Sequence, residues 1–438
     1  MTGVQQCIII PIIHYANLVA RYQDKVNCDG NPYKAIWRYL KEWRESMKDI
    51  LLHTPGGVRD IYNSEFQRKD AVENHMKEVM EQYGFHQFMT PTFEYFDIFN
   101  KERGTVPSKD MYKFVDRDGE TLVLRPDMTP QAARCVAKYF KHEELPIRLF
   151  YHGSVFVNHS GYQGKLKEST QIGAELYNDA TPEADAEMAA LMMDCLSASG
   201  LTKFQVVAGQ ADFFRALVEE AGFNEEETDE LRRLIEMKNV FGVEQLLSEK
   251  EISAELKEVF TKLSSHFGSI ETIHNMKKLT KNERAVAALV RLEQFYDALC
   301  LYGKEDHISF DLGMLSQFNY YTGILFRAYT HGTGDVIAAG GRYDSLVEQF
   351  GKQAPAIGIA VYSDQLLTAL LRQGLLEHPA AEGTLIVYSE AGKKEAVARA
   401  AELRAEGVSV TLMKEGTHTE EVLKLYAEQI GAKDILHI

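Results

Sequence analysis

The sequence predicts an α+β fold: an antiparallel sheet with segregated helices, a helical insertion, and a small α/β unit at the end. Three observations carry this. Strand-length segments bounded by Gly, Pro and Asp-Gly turns recur between residues 85 and 361. Residues 223–303 break the pattern, being rich in Glu, Leu and Lys, helically periodic and free of proline. Beyond Gly374 and Pro379 the chain alternates strand 384–389, helix 393–405, strand 408–413, helix 419–430 and strand 434–438. That βαβαβ order implies a small parallel sheet.

The elements follow in order. Pro55-Gly56-Gly57 makes residues 51–60 a loop, because it fits neither helix nor strand. A helix is predicted over 64–82, stopped by Gly84. A strand over 85–90 ends at Pro91. Residues 111–115 and 121–124 read as a hairpin around Asp116-Arg117-Asp118-Gly119. Thr129-Pro130 opens the next helix, Thr as N-cap and Pro at the first helical position. Strands over 147–157 and 169–177 follow, and Thr181-Pro182-Glu183 starts a helix closed by Gly200. After the insertion, strands are predicted at 308–313, 320–329, 335–339 and 357–361, then a helix from Gln365 to 372.

With 438 residues, 45% of them hydrophobic and 26% charged, the chain is not of the disordered class. A formal charge of −16 gives no global attraction to nucleic acid. Cys7, Cys28, Cys135, Cys195 and Cys300 are widely spaced without C-x-x-C. This argues against a disulfide framework or a cysteine zinc site and fits a reducing, cytoplasmic location. No apolar run approaches the ~18 residues of a membrane span. Residues 1–46 stand apart: they hold both tryptophans and a small positive charge, and Met47 follows directly. They read either as an N-terminal helical extension or as the product of a start assigned too early, with Met47 as the first residue.

Four segments carry candidate chemistry. In Leu124-Arg125-Pro126-Asp127-Met128-Thr129-Pro130, Asp127 could accept from a ligand ammonium; the plain alternative is a helix start, Thr129 capping and Asp127 complementing the dipole. In Gln171-Ile172-Gly173-Ala174-Glu175, strand alternation puts Gln171, Gly173 and Glu175 on one face, with a hole over the glycine or simply a solvent-facing edge. Asn319-Tyr320-Tyr321-Thr322-Gly323 and Gly340-Gly341-Arg342-Tyr343-Asp344 combine aromatic rings bearing polar tips with glycines that permit close approach. By spacing alone, a strand tyrosine is more often core.

The order of these segments resembles the catalytic domain of class II histidyl-tRNA synthetases over about residues 51–372. The Pro55–Asp60 loop is similar to that family's opening segment, which favours Met47 as the start. Residues 83–94 resemble motif 1, the dimer-forming segment; 124–129 and 171–175 flank and complete motif 2; 320–323 resemble the histidyl signature; 340–344 and 358–366 lead into motif 3. The resemblance implies a class II synthetase-like fold over residues 47–378, with a truncated anticodon-binding-like unit at 383–438. It also implies a histidine pocket at Asp127, Thr129, Gln171, Glu175, Tyr321 and Tyr343.

The departures concern phosphate. Three arginines that the synthetases use are Val157, Ser316 and Gln365 here. Motif 2 reads Phe156-Val157-Asn158-His159, and motif 3 ends Asp364-Gln365. Each transition-state donor removed costs ~10²–10³ in rate, so three losses amount to on the order of 10⁵ or more. The short, slightly acidic tail is a poor match for anticodon phosphates. A retained histidine pocket without the phosphate clamp is similar to the regulatory-subunit family of ATP phosphoribosyltransferase. That family implies a non-catalytic protein in histidine biosynthesis and a hetero-octamer with the short-form catalytic subunit. It further implies self-association as a dimer, histidine as allosteric ligand, and no cofactor, metal, tRNA or membrane partner. The alternative is a histidine–tRNA ligase with atypical ATP-binding residues.

Overall fold

A computed structural model describes residues 52–100, 106–159, 165–315, 321–376 and 383–438. The readings for residues 1–46 and Met47, and the positions Ser316, Asn319 and Tyr320, lie outside them. Residues 52–60 form neither helix nor strand. There the Thr54 hydroxyl donates to the Val58 carbonyl at 2.9 Å and the Val58 N–H to the Pro55 carbonyl at 3.2 Å, giving a turn.

From residue 61 onward the chain begins with α1 (Asn63–Gln82), whose Val72, Met76 and Met80 are buried. Gly84 ends it at φ +78°, the left-handed region that glycine enters at no steric cost. β1 is only His86–Gln87, parallel to Leu149 and Phe150 of a later strand, so the strand read over 85–90 is shorter than expected. β2 (Phe93–Tyr95), β3 (Lys113–Val115) and β4 (Thr121–Leu124) make a small antiparallel sheet containing the expected hairpin. α2 (Thr129–Tyr139) follows, then the long strands β5 (Ile147–Phe156) and β6 (Glu168–Tyr177).

α3 (Pro182–Ala198) starts as expected: the Thr181 hydroxyl accepts from the Ala184 N–H at 3.2 Å. β7 (Gln205–Gln210) and α4 (Ala211–Ala221) lead into the insertion. It comprises α5 (Glu225–Glu236), α6 (Val240–Ser248), α7 (Ala254–Leu263), β8 (Phe267–Gly268), α8 (Glu271–Lys277) and α9 (Glu283–Leu301). The insertion is therefore not wholly helical, because β8 adds an edge strand to the main sheet.

β9 (Ile308–Asp311), β10 (Ile324–Tyr329), β11 (Ala338–Arg342) and β12 (Ala356–Tyr362) complete that sheet, and α10 (Ser363–Gln373) closes the unit. The strand expected at 335–339 lies three residues later, taking Gly340 and Gly341 out of a loop and into the ladder. The nine strands run β1-β5-β6-β12-β11-β10-β7-β9-β8. The centre is antiparallel, while β1–β5 and β7–β9 are parallel, which makes the sheet mixed rather than purely antiparallel. One apolar cluster joins sheet residues Leu176, Phe310, Phe326 and Ile359 to insertion residues Phe260, Leu289 and Phe295.

The tail forms β13 (Gly383–Tyr388), α11 (Lys393–Ala405), β14 (Val410–Lys414), α12 (Glu420–Gln429) and β15 (Ala432–His437). Its sheet is parallel, in the order β14-β13-β15.

Candidate functional site

The central strands β6, β12 and β11 present small residues on one face, and three larger side chains lie down on them. A Cβ at Gly173 would collide with the Tyr151 hydroxyl, and one at Gly358 with the Glu175 carboxylate. One at Gly341 would come within 2.7 Å of the Tyr321 ring. Beside these groups opens a cavity of about 190 Å³. Its polar lining is Asp127, Thr129, Gln171, Tyr321, Tyr343 and Tyr362; Val106, Pro126 and Val157 supply apolar wall. An apolar cavity of ~150 Å³ holds a benzene-sized ring. This volume therefore suits an imidazole ring with a short polar tail.

Five of the six residues expected at a histidine pocket line the cavity directly. Asp127 stands where cavity and helix start meet. It lines the cavity, and its Oδ1 accepts from the Met128 N–H at 2.7 Å at the start of α2. Thr129 is not the N-cap expected of it: Met128 holds that position, and no side chain caps the helix. Its hydroxyl instead donates to Glu175 Oε1 at 2.9 Å, a partner 46 residues away. Gln171 Oε1 is buried without a hydrogen-bond partner among the described residues, an acceptor left for something in the cavity.

Glu175 sits behind the lining. It is 1% exposed, and its two oxygens accept from the hydroxyls of Thr129 and Tyr343. Burial pushes its carboxyl up to about 8; the hydrogen bonds from Tyr343 and Thr129 oppose this, and nearby Asp127 adds to it. Glu175 therefore orients two lining hydroxyls. Tyr343 is itself buried, and burial followed by the charge of Glu175 drives its phenol well above the ordinary value. Tyr362 was not among the expected residues. Its signal was present in the alternation Gly358, Ala360, Tyr362, which continues the face that Gln171, Gly173 and Glu175 define.

No lysine or arginine is among the described lining residues. Val157 contributes hydrocarbon, and Ser316 lies outside the described residues. Gln365 stands in the first turn of α10 with its Oε1 buried and unpartnered among the described residues, away from the cavity lining. Arg327 is near enough to Tyr362 to favour its ionised form, and its Nη2 donates to the Leu315 carbonyl at 3.4 Å.

Asp364 belongs to a separate polar knot. Lys69 pairs with Asp364 at 3.2 Å and with Glu73 at 3.0 Å, and the Thr170 N–H donates to Asp364 at 2.8 Å. Glu73 also meets His152 at 3.0 Å and the Ser363 hydroxyl at 2.6 Å. Burial works to raise the Glu73 carboxyl, but the His152 hydrogen bond, the Lys69 charge and the Ser363 hydroxyl together lower it to about 2. A carboxyl held below its unfolded value near 4.5 stabilises the fold above that pH and loses this as pH falls toward 2. The urea midpoint of wild type should fall as pH drops across that window, and Glu73→Gln should flatten the slope there.

A second buried carboxylate fastens the cavity to the insertion. Asp185, fully buried near the start of α3, accepts from Arg342 Nε at 2.8 Å and from Arg291 Nε at 2.8 Å. Arg342 ends β11 and precedes Tyr343, and its carbonyl accepts from the Thr322 N–H at 2.8 Å beside Tyr321. Arg291 lies on α9.

A family profile described as histidyl-tRNA synthetase matches residues 57–366. The ATP phosphoribosyltransferase regulatory subunit of Acetivibrio thermocellus is 39% identical over 393 residues, covering 90% of this chain and 94% of that protein. The protein of the same description from Ruminiclostridium cellulolyticum is 38% identical over 360 residues, covering 82% and 86%. A crystal structure described as an ATP phosphoribosyltransferase regulatory subunit/histidyl-tRNA synthetase, from Bacillus halodurans, matches with a TM-score of 0.78 and 31% identity over 88% of this chain and 97% of that one. The chain belongs to the histidyl-tRNA synthetase-like family, in its branch of ATP phosphoribosyltransferase regulatory subunits.

Proposed function

We propose that this protein is the non-catalytic partner of a short-form ATP phosphoribosyltransferase. In this reading it activates that enzyme at the entry to histidine biosynthesis, and it holds histidine in the cavity between Asp127 and Tyr343 to relay feedback. The observation that carries the reading is a cavity with polar groups for one amino acid and no cation among its described lining residues. Adenylate formation builds negative charge at phosphorus, and hydrocarbon at Val157 offers it nothing. Assembly as a dimer within a hetero-octamer, independence of tRNA and cofactors, and action in the cytoplasm belong to the same proposal. No helix among the described residues is long and apolar enough to cross a membrane.

Mixing the chain with a short-form catalytic subunit tests this. Phosphoribosyl transfer to ATP should rise on mixing and fall again when histidine is added. Histidine-dependent ATP–pyrophosphate exchange should be absent, lower by on the order of 10⁵ than in a synthetase. Measurable exchange without activation of the partner would make the chain a ligase.

A further inference from the structure

Much of the cavity floor is strand backbone, with the Tyr321 ring over Gly341 and the Glu175 carboxylate over Gly358 toward one end and Tyr362 at the other. Ala339, Gly340 and Gly341 of β11 and Gly358 and Ala360 of β12 expose backbone to the open space. The face that begins with Gly358 and Ala360 ends on Tyr362, the residue paired with Gln171 across β6. A sheet surface of glycine and alanine lets a flat ligand lie along the strands. A tyrosine on the same face stops it.

Tyr362 is fixed where it stands. Its N–H donates to the Ile337 carbonyl at 2.9 Å, and the next residue, Ser363, begins α10. Ser363 is itself tied into the Glu73 knot at 2.6 Å. The register places Tyr362: Glu175 pairs with Gly358, and Arg342, just before Tyr343, pairs with Ile357, whereas Tyr362 lies four residues farther along β12 opposite Gln171, at the other end of the cavity. The remaining space, about 190 Å³, lies below the ~300–1,000 Å³ of pockets that take larger ligands.

We infer that Tyr362 is the residue that sets the length of this cavity, restricting it to one amino acid and barring a nucleoside from the same floor. The inference rests on the cavity being the histidine site, and it adds a steric exclusion to the loss of phosphate-binding cations. The exclusion is independent of charge. A nucleoside without phosphates is kept out as well.

Calorimetric titration of wild type, Tyr362→Ala and Tyr362→Phe with histidine and with adenosine tests this. Wild type and Tyr362→Phe should bind histidine and leave adenosine unbound at millimolar concentration, because the ring and not the hydroxyl blocks the floor. Tyr362→Ala should bind adenosine at least about tenfold more tightly than wild type, while its histidine affinity changes by less than that. Equal adenosine binding by wild type and Tyr362→Ala overturns the inference. So does a folded Tyr362→Ala protein that gains no adenosine affinity. If the alanine variant does not fold, Tyr362→Leu, which keeps apolar packing but lacks the ring's reach, replaces it with the same readout. Failure of wild type to bind histidine removes the histidine reading, while the adenosine comparison still decides the role of Tyr362.

Discussion

Replacing Asp185 with alanine should destabilise the protein by about 3–5 kcal/mol, measured as a lower urea midpoint and melting temperature. The carboxylate is fully buried between the guanidinium groups of Arg342 and Arg291. Its removal leaves Arg342, 6% exposed at the side chain, with one acidic partner in Asp344 at 3.0 Å and the carbonyl of Asp179 at 2.9 Å. Stripping one member from a buried ion pair typically costs ~3–5 kcal/mol, because the other charge stays out of water. Burial alone works to raise the Asp185 carboxyl, so it is the two arginines that keep the charge tolerable there. A drop of less than ~1 kcal/mol would mean that water reaches the site once the carboxylate is gone.

Glu175→Ala should weaken histidine binding by roughly ten- to a hundredfold and leave association with the catalytic subunit intact. Two lining hydroxyls, of half-buried Thr129 and buried Tyr343, lose their common acceptor. Each buried group left unsatisfied costs ~1–3 kcal/mol, and ~1.4 kcal/mol is a factor of ten in affinity. Burial pushes the Glu175 carboxyl up to about 8, which favours its neutral form at pH 7. Glu175→Gln, neutral and still carrying an oxygen acceptor, should therefore bind histidine at pH 7 far better than the alanine variant. Calorimetry at pH 7 distinguishes the three proteins. Unchanged affinity in Glu175→Ala would place the regulatory histidine elsewhere, for example between subunits.

Periodicity and punctuation carried most of the fold. α3, capped by Thr181, and the parallel βαβαβ tail stand close to where local signals put them, because caps, prolines and glycines act over a few residues. β8 escaped because a two-residue edge strand has no alternation to read. Thr129 was misread as a cap because its true partner, Glu175, arrives from another strand. The same long-range packing put Glu175 behind the cavity lining, although its neighbours along the strand were assigned to the correct face. Tyr362 was missed because a tyrosine in an apolar strand looks like core until its register against Gln171 is known.

The Asp185 junction also bears on how this polypeptide could be re-engineered. An insertion bounded in sequence invites excision, with a short linker closing the gap. Here the excised piece would carry away Arg291, half of the counter-charge for a carboxylate that belongs to the parent sheet's own helix. It would also bare Phe326 and Phe310, whose rings meet Phe295 at a tilt and Tyr296 edge-to-face on α9. α9 is thus a part of the scaffold that excision cannot spare, and a minimal version of this protein has to keep at least that helix.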